Sequence, residues 1–177
     1  MLAHLKTHRL RHALAALALL SACLLAGCAT PPSAGPPFTA AAEPGLGRAR
    51  LYVFRIDPQH SLSTVEISID EHSEGRLRNG EYATFELAAG SHRVNFRQRG
   101  LAFASWGWNR QQIRAVAGET IYLEISVRMS AQPTPGTGRD LEIPGRDSGA
   151  ASENVFIQHH SESAARELLA GTTLRVP

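Results

Sequence analysis

A stretch of alternating apolar and polar residues, 65–96, constrains the fold of this chain more than any other feature. The alternation has the two-residue period of strands with one buried face, and it occurs three times. Turn-forming residues separate the three repeats: Gly75 closes a polar bend that begins at Asp70, and Asn79-Gly80 and Gly90 follow. The stretch predicts a meander of antiparallel strands, and it contains no arrangement of side chains that is typical of catalysis.

The first 27 residues have the composition of a secretory signal. Three basic residues and no acidic residue precede the apolar run 13–25, which is shorter than the roughly 20 residues of a membrane-spanning helix. The run ends in Leu-Ala-Gly-Cys at Cys28, which resembles the bacterial lipobox, where the cysteine is lipidated and the bond before it is cut. The sequence therefore predicts a lipoprotein signal peptide over residues 1–27 and lipidation of Cys28.

A second lipobox-like motif ends at Cys23, so the sequence offers two candidate lipidation sites. Cleavage before Cys23 would leave Leu24 and Leu25 beside the lipid, whereas the chain after Cys28 turns at once into a Pro-, Gly-, Ala- and Ser-rich segment. Cys28 is therefore favoured. The alternatives to a lipoprotein are a plain secreted protein with two cysteines and a soluble protein with an apolar leader. With Cys23 removed and Cys28 modified, the domain has no cysteine left for a disulfide.

The lipid predicts where the protein works. Several acyl chains on one residue give lasting attachment to a membrane, whereas a single chain binds only marginally. Ala29 follows Cys28, in the place where an Asp retains lipoproteins of enteric bacteria at the inner membrane. By this resemblance, the protein is expected at the outer membrane, facing the periplasm.

The charge of the chain changes when the signal peptide is removed. The whole sequence has 18 basic and 16 acidic residues, and the loss of three basic residues from positions 1–27 leaves 15 against 16. A chain so close to neutral lacks the net positive charge that is typical of nucleic-acid-binding proteins. No nucleic-acid partner is therefore expected.

The rest of the chain divides into a tether and one domain. Residues 28–47 are rich in Pro and Ala, have no periodicity and predict a disordered or polyproline-like tether. Residues 48–177 predict the folded domain. Residues 48–56 are apolar on both faces, as in a central strand, and residues 120–129 predict a core strand with one wetter face. A flexible insert rich in Pro, Gly and Ser is expected at about 130–152.

A short helix is expected near the end of the chain, over residues 162–170. Ser161 is a suitable N-cap, and Gly171 can end the helix. The predicted fold is therefore mainly β: an antiparallel β-sandwich of about seven strands with one short C-terminal helix.

The order of several short motifs resembles a known family. The motifs are V-x-I-x-I-D ending at Asp70, G-x-L-x-N-G-x-Y from Gly75, L-x-x-G-x-H ending at His92, A-G-x-x-I-Y-L from Ala117 and A-x-x-E-L from Ala164. With the lipobox, they resemble a family of bacterial lipoprotein domains, the domain of unknown function numbered 2846, over roughly residues 49–174. The same order is similar to PEGA-type β-sandwich domains. The resemblance implies this fold and a place in the cell envelope, and it implies no activity.

Three aromatic residues, Phe103, Trp106 and Trp108, are the strongest candidates for partner binding. Trp106 and Trp108 are two positions apart, so both would lie on one face of an extended segment and form a platform for a sugar ring, a peptide or a lipid interface. Three arginines flank the segment: Arg97, Arg99 and Arg110. The alternative is that the aromatic side chains cover an open end or side of the sandwich.

The adjacent histidines His159 and His160 invite a metal site, with His92 as a third ligand. Adjacent residues on a strand point to opposite faces, so one ion would rarely be bound by both. A solvated strand end is the simpler interpretation of the pair, and His92 is expected to be a structural imidazole at the edge of the core. No metal and no cofactor are therefore predicted.

The sequence contains no G-x-S-x-G motif, no H-E-x-x-H motif and no phosphate-binding glycine loop, so the chain is not expected to be an enzyme. The function predicted from the sequence is a lipid-anchored module of the cell envelope that binds or scaffolds an envelope protein or a glycan. The alternative is a periplasmic carrier of a metal or another small ligand.

Overall fold

The structure of the protein is a computed structural model that describes residues 35–59, 62–100, 107–128, 145–146 and 155–176. These ranges contain ten strands and one helix. The strands are β1 (Arg48–Arg55), β2 (Thr64–Ile69), β3 (His72–Leu77), β4 (Glu81–Ala88), β5 (Gly90–Arg99), β6 (Asn109–Ala115), β7 (Thr120–Val127), β8 (Gly145–Arg146), β9 (Val155–His159) and β10 (Thr173–Leu174), and the helix is α1 (Glu162–Leu169).

Several predicted features lie outside the described ranges. They are the signal peptide, Cys28, Phe103, Trp106 and most of the insert expected at about 130–152. Within that insert, β8 is described and pairs with β6. In the ranges that the structure covers, no helix is both long and apolar enough to cross a membrane.

The strands form two five-stranded sheets. Sheet A has the order β10-β4-β1-β7-β9, and sheet B has the order β3-β2-β5-β6-β8. Most neighbouring strands are antiparallel, but β1 and β7 in the centre of sheet A are parallel, and so are β10 and β4. The prediction of a mainly β sandwich with one short C-terminal helix is confirmed. The parallel central pair was not predicted, because alternation identifies a strand without indicating its partner.

The stretch 65–96 does not form one continuous meander. Strands β2, β3 and β5 belong to sheet B, whereas β4 pairs with β1 in sheet A. At the turn before β4, Gly80 has a positive φ of 82° and donates its N–H to the carbonyl of Arg55, 2.9 Å away. The predicted Asn79-Gly80 turn therefore carries the chain from one sheet to the other.

The polar bend predicted from Asp70 to Gly75 is a two-residue turn followed by a strand. Ile69 pairs with His72, so Asp70 and Glu71 alone form the turn, with φ of 48° and 72°. Positive φ is unusual for residues other than glycine. Gly75 lies inside β3, which the sequence analysis missed because its polar residues mask the alternation.

The main core lies between the two sheets and is mostly aliphatic. Its fully buried members come from both sheets: Leu51, Val53, Val65, Ile67, Leu77, Val94, Phe96, Leu123, Ile125 and Ile157. Each such side chain contributes about 1.5–3 kcal/mol to folding through its burial. The apolar positions of the alternating stretch face this core, as the period predicts.

A second apolar layer covers the outer face of sheet A. Strand residues Tyr52, Phe54 and Tyr122 pack there against Ala165 and Leu169 of α1. The rings of Tyr52 and Tyr122 are stacked, with 5.4 Å between centroids and 5° between planes. The face of β7 that the sequence predicts to be wetter is therefore buried beneath α1.

An N-terminal strap, residues 36–44, also lies against sheet A. Phe38 packs edge-on against Tyr52 and Tyr82, and the N–H of Ala41 donates to the Tyr52 hydroxyl at 2.8 Å. The sequence predicts a disordered or polyproline-like tether through residue 47 and places the start of the folded part at residue 48. The packing of the strap moves this start toward the N-terminus. One aromatic residue in a proline-rich segment fixes the strap without producing any periodicity.

Candidate functional site

Six arginines lie on the outer face of sheet B, which we call the arginine face. In β5, Val94 and Phe96 point into the core, so the residues that alternate with them point outward. Residues that oppose each other on paired strands point to the same face of a sheet. Glu66 of β2 opposes Arg97 of β5, so both lie on this outer face. The six arginines are Arg76 on β3, Arg93, Arg97 and Arg99 on β5, and Arg110 and Arg114 on β6.

Glu66 lies at the centre of the arginine face. Its Oε2 atom accepts hydrogen bonds from Arg97 Nη2 at 2.9 Å and from Arg99 Nε at 2.6 Å. Burial alone would raise the pKa of Glu66, but the hydrogen bonds and charges of Arg97 and Arg99 hold this pKa below its ordinary value. One ionised carboxylate thus orders two guanidinium groups and leaves a net positive charge.

Trp108 is adjacent to the same group of charges. The guanidinium carbon of Arg97 lies 4.3 Å from the centroid of the Trp108 ring, which is a cation–π distance. The structure therefore brings Trp108 together with one of the three arginines that flank it in the sequence. Phe103 and Trp106, predicted to share its role, lie outside the described ranges.

Among the residues that the structure describes, the arginine face has few acidic side chains. Apart from Glu66, Glu71 lies at one end, where its carboxylate is 3.7 Å from Arg93 Nη1 and 82% exposed, so the attraction is weak. Arg76 and Arg114 are exposed to solvent. Guanidinium groups bind phosphate and carboxylate groups with two parallel hydrogen bonds, and this face can therefore bind an anionic partner.

His92 closes the end of the core beside the arginine face. Its Nδ1 lies 2.6 Å from Asp70 Oδ2 and its Nε2 lies 2.8 Å from the Ala88 carbonyl. Both oxygens accept hydrogen bonds, so both ring nitrogens must donate, and the ring is held as an imidazolium. The hydrogen bonds to Asp70 and to Ala88 raise the pKa of His92. Bonds from the Arg93 N–H and from His92 lower the pKa of Asp70.

A surface depression of about 260 Å³ lies next to this pair. It is lined by Asp70, Glu71, Ser91, His92, Arg93 and Gln112. Its two carboxylates face a guanidinium and an imidazolium, so its charges are balanced. The depression is continuous with the arginine face through Arg93 and Gln112 and adds no separate preference for anions.

The structure corrects the interpretation of the two adjacent histidines. His160 is not at a solvated strand end, because its side chain is fully buried and its Nε2 lies 2.8 Å from Glu124 Oε2. The other oxygen of Glu124 accepts from Arg128 at 2.9 Å. The side chain of His159 does not join this group, and its Nε2 lies 3.5 Å from Nε2 of Gln111. In the part of the chain that is described, no three His, Cys, Asp or Glu residues are grouped closely enough to hold a metal ion.

A buried ion pair that the sequence analysis did not identify joins Arg55 and Asp57 at the end of the sandwich opposite His92. The Arg55 side chain is 0% exposed, and its Nη2 lies 2.6 Å from Asp57 Oδ2. Arg55 also donates to the carbonyls of Ser63 and Leu77, so its polar atoms are well satisfied. An arginine directly after the apolar residues 51–54 of β1 is the sequence signal for such a pair.

The arginine face had a signal in the sequence as well. Arg97 and Arg99 alternate with the apolar residues of β5, and Arg110 and Arg114 are separated by an even number of positions in β6. Net charge conceals this clustering, since it sums over all surfaces of the domain.

Comparisons with known proteins identify a family. A search of curated proteins found no match. The family model for proteins of unknown function, DUF2846, matches residues 46–139, which is more than half of the 177 residues. The matched region contains β1 to β7, and with them every arginine of the arginine face. The chain therefore belongs to the DUF2846 family of proteins of unknown function.

Proposed function

We propose that this protein is a lipid-anchored module of the cell envelope that binds or scaffolds an acidic envelope component through the arginine face. The single observation that carries the proposal is the presence of six arginines on one face of a chain that is close to neutral once residues 1–27 are removed. The lipobox ending at Cys28 supports the anchor. Ala29 stands where an Asp would retain a lipoprotein of enteric bacteria at the inner membrane. We therefore propose a location at the outer membrane, facing the periplasm.

Ion pairs with Glu66 hold Arg97 and Arg99 in place, but this one carboxylate does not account for six arginines on one face. Like charges on neighbouring strands repel each other, so clustering them costs stability unless an anionic partner is bound. Charged residues also protect the edges of sheets from unwanted pairing, but three of the six arginines are on β5, the central strand of sheet B. Binding of an anionic partner accounts for their position better than edge protection does.

The outer faces of the two sheets differ in what covers them. The strap and α1 pack on the outer face of sheet A, whereas no described helix or strand packs on the outer face of sheet B. Because the arginines lie on three strands of one sheet, a partner that covers this face can contact several of them at once. Within the described ranges, the face that no other element covers is therefore the one that carries the arginines.

No observation on the described residues favours the alternative of a metal carrier. His92 and His160 each hydrogen-bond a carboxylate, and His159 lies beside Gln111. A metal ion would have to displace these contacts. The proposed function includes no catalytic step.

Crosslinking in intact cells, followed by identification of the joined component, tests this proposal. We expect an acidic component to be recovered with the wild-type protein and lost with Arg114→Glu, which reverses one exposed charge of the arginine face. Arg48→Glu makes the same change on the outer face of sheet A and should leave recovery unchanged. Equal recovery with both variants would contradict binding through the arginine face.

A further inference from the structure

The structure fixes the point at which the N-terminal segment joins the domain. The N–H of Leu174 donates to the carbonyl of Pro36 at 2.8 Å, and the N–H of Phe38 donates to Thr172 at 3.1 Å. Gly35 lies so close to the main chain of Leu174 that a Cβ atom there would fall 1.6 Å from its carbonyl oxygen. From residue 35 onward, the segment is therefore part of the domain.

This junction lies where the edge strand of sheet A is close to the edge strand of sheet B. The strap pairs with β10, the edge strand of sheet A. Arg175, directly after β10, donates to the carbonyl of Glu74 on β3, which is the edge strand of sheet B. A domain attached to a membrane through this edge can rotate so that the outer face of either sheet contacts the membrane.

Few residues separate the predicted lipidation site from the point where the domain begins. Gly35 follows Cys28 by seven positions. Even a fully extended chain of this length spans at most about 25 Å. A lipid on Cys28 would therefore keep the edge of the domain close to the membrane surface, rather than at the greater distance that a tether reaching residue 47 would allow.

We propose that the arginine face docks on the anionic phospholipid headgroups of the membrane that holds the Cys28 lipid. This inference rests on the proposed function, because it requires the anchor. Of the two outer faces, only that of sheet B has both an open surface among the described residues and an excess of positive charge.

The chemistry of the face fits a layer of phosphate groups. Guanidinium groups bind phosphates with paired hydrogen bonds, and each basic residue close to an anionic bilayer strengthens binding by about fivefold. Trp108 lies beside these charges and is half-buried, and its ring has the amphipathic character of aromatic residues at membrane interfaces. The arginines lie on three strands of one sheet, so several of them can contact headgroups together.

Nanodiscs of defined lipid composition provide the test. The full chain is purified from membranes and reconstituted either with phosphatidylcholine alone or with added phosphatidylglycerol that carries a photoactivatable headgroup. Mass spectrometry then locates the lipid adducts on the protein. We expect adducts on β5 and β6 to exceed those on β4 and α1 by about fivefold or more.

The charge variants separate docking from mere proximity. Arg114→Glu should lower the adducts on β5 and β6 by about fivefold, and 1 M salt should lower them too, whereas Arg48→Glu should not. Circular dichroism should show that both variants remain folded, because both positions are exposed. Equal adduct yields on the two outer faces, or yields that do not respond to Arg114→Glu, would overturn the inference.

Two further outcomes distinguish this inference from the proposed function. If the arginine face forms adducts with a protein in intact cells and none with phosphatidylglycerol in nanodiscs, docking on lipid is overturned while binding through the face stands. If the purified wild-type chain has no acyl group, the anchor is overturned, and docking of the tethered domain with it.

Discussion

Asp70 and His92 are joined by a hydrogen bond of 2.6 Å that connects the turn between β2 and β3 to β5. The turn residues Asp70 and Glu71 both have positive φ, and the N–H of Arg93 donates to the other oxygen of Asp70 at 2.9 Å. An uncommon backbone conformation is thus fixed by an ion pair at the end of the core, next to the arginine face. The charge state of this pair should affect the stability of the domain.

The stability of the domain should be pH-dependent through this pair. The pKa of His92 is raised from its ordinary 6.5, so its contribution is complete below about 6.5 and is lost as pH rises through the raised value. The pKa of Asp70 is lowered from 3.8, so its contribution is complete above about 3.8 and is lost as pH falls through the lowered value. The contribution of the pair is therefore greatest between these two values.

Urea unfolding as a function of pH checks this expectation with His92→Gln. Between about pH 4 and 6.5, the variant should be less stable than the wild type by about 0.5–1 kcal/mol, which is typical of a partly exposed pair. The difference should shrink at higher pH. A difference that stays constant up to pH 9 would show that the ring acts by packing rather than by charge.

Removal of Arg55 should be strongly destabilising. In Arg55→Met, the fully buried carboxylate of Asp57 would lose its ion-pair partner, and loss of one member of a buried pair costs about 3–5 kcal/mol. The free energy of unfolding from urea titration measures this loss. Arg48→Met, at an exposed position of the same strand, is the matched control and should change stability by less than about 0.5 kcal/mol. Similar losses in the two variants would count against a special role for the pair.

The strap should contribute to stability through Phe38. Phe38→Ala removes edge-on contacts with Tyr52 and Tyr82 and should lower the free energy of unfolding by about 1–2 kcal/mol, which is less than for a core phenylalanine because Phe38 is half-buried. Amide hydrogen exchange at Leu174, which donates to the strap, should become faster. Leu46→Ala changes a fully exposed side chain and should have neither effect. If Phe38→Ala also has neither effect, the strap is not part of the folded domain.

The lipidation site can be tested by labelling with palmitate in cells. We expect Cys28→Ala to abolish incorporation, because Cys28 ends the favoured lipobox. Cys23→Ala should retain incorporation, since Cys23 would be removed with the signal peptide. The opposite pattern would move the site to Cys23 and lengthen the tether ahead of Gly35.

The sequence was sufficient to predict most strands and the face that each strand buries. The alternation around Ile67 and Phe96, and the doubly apolar strand around Val53, follow directly from the two-residue period. The choice of neighbouring strands could not be predicted in this way. The parallel pairing of β1 with β7, and the position of β4 in the sheet opposite β2, depend on how the sheets pack as a whole.

The candidate site was only partly predictable for a related reason. Trp108 and its flanking arginines are close in the sequence, so their proximity could be predicted from the sequence alone. Arg76 joins the same face only through the pairing of β3 with β2, which is set by long-range contacts. The buried position of His160 likewise depends on Phe54 and Glu124, which belong to other strands.

Site-specific photo-crosslinking in intact cells tests the central claim most directly. A crosslinking amino acid replaces either Gln112, which is exposed on the arginine face, or Thr84, which is exposed on the outer face of sheet A. Binding through the arginine face predicts adducts from position 112 that are lost with Arg114→Glu, and few adducts from position 84. Equal adducts from both positions, or adducts from position 112 that survive Arg114→Glu, would contradict it.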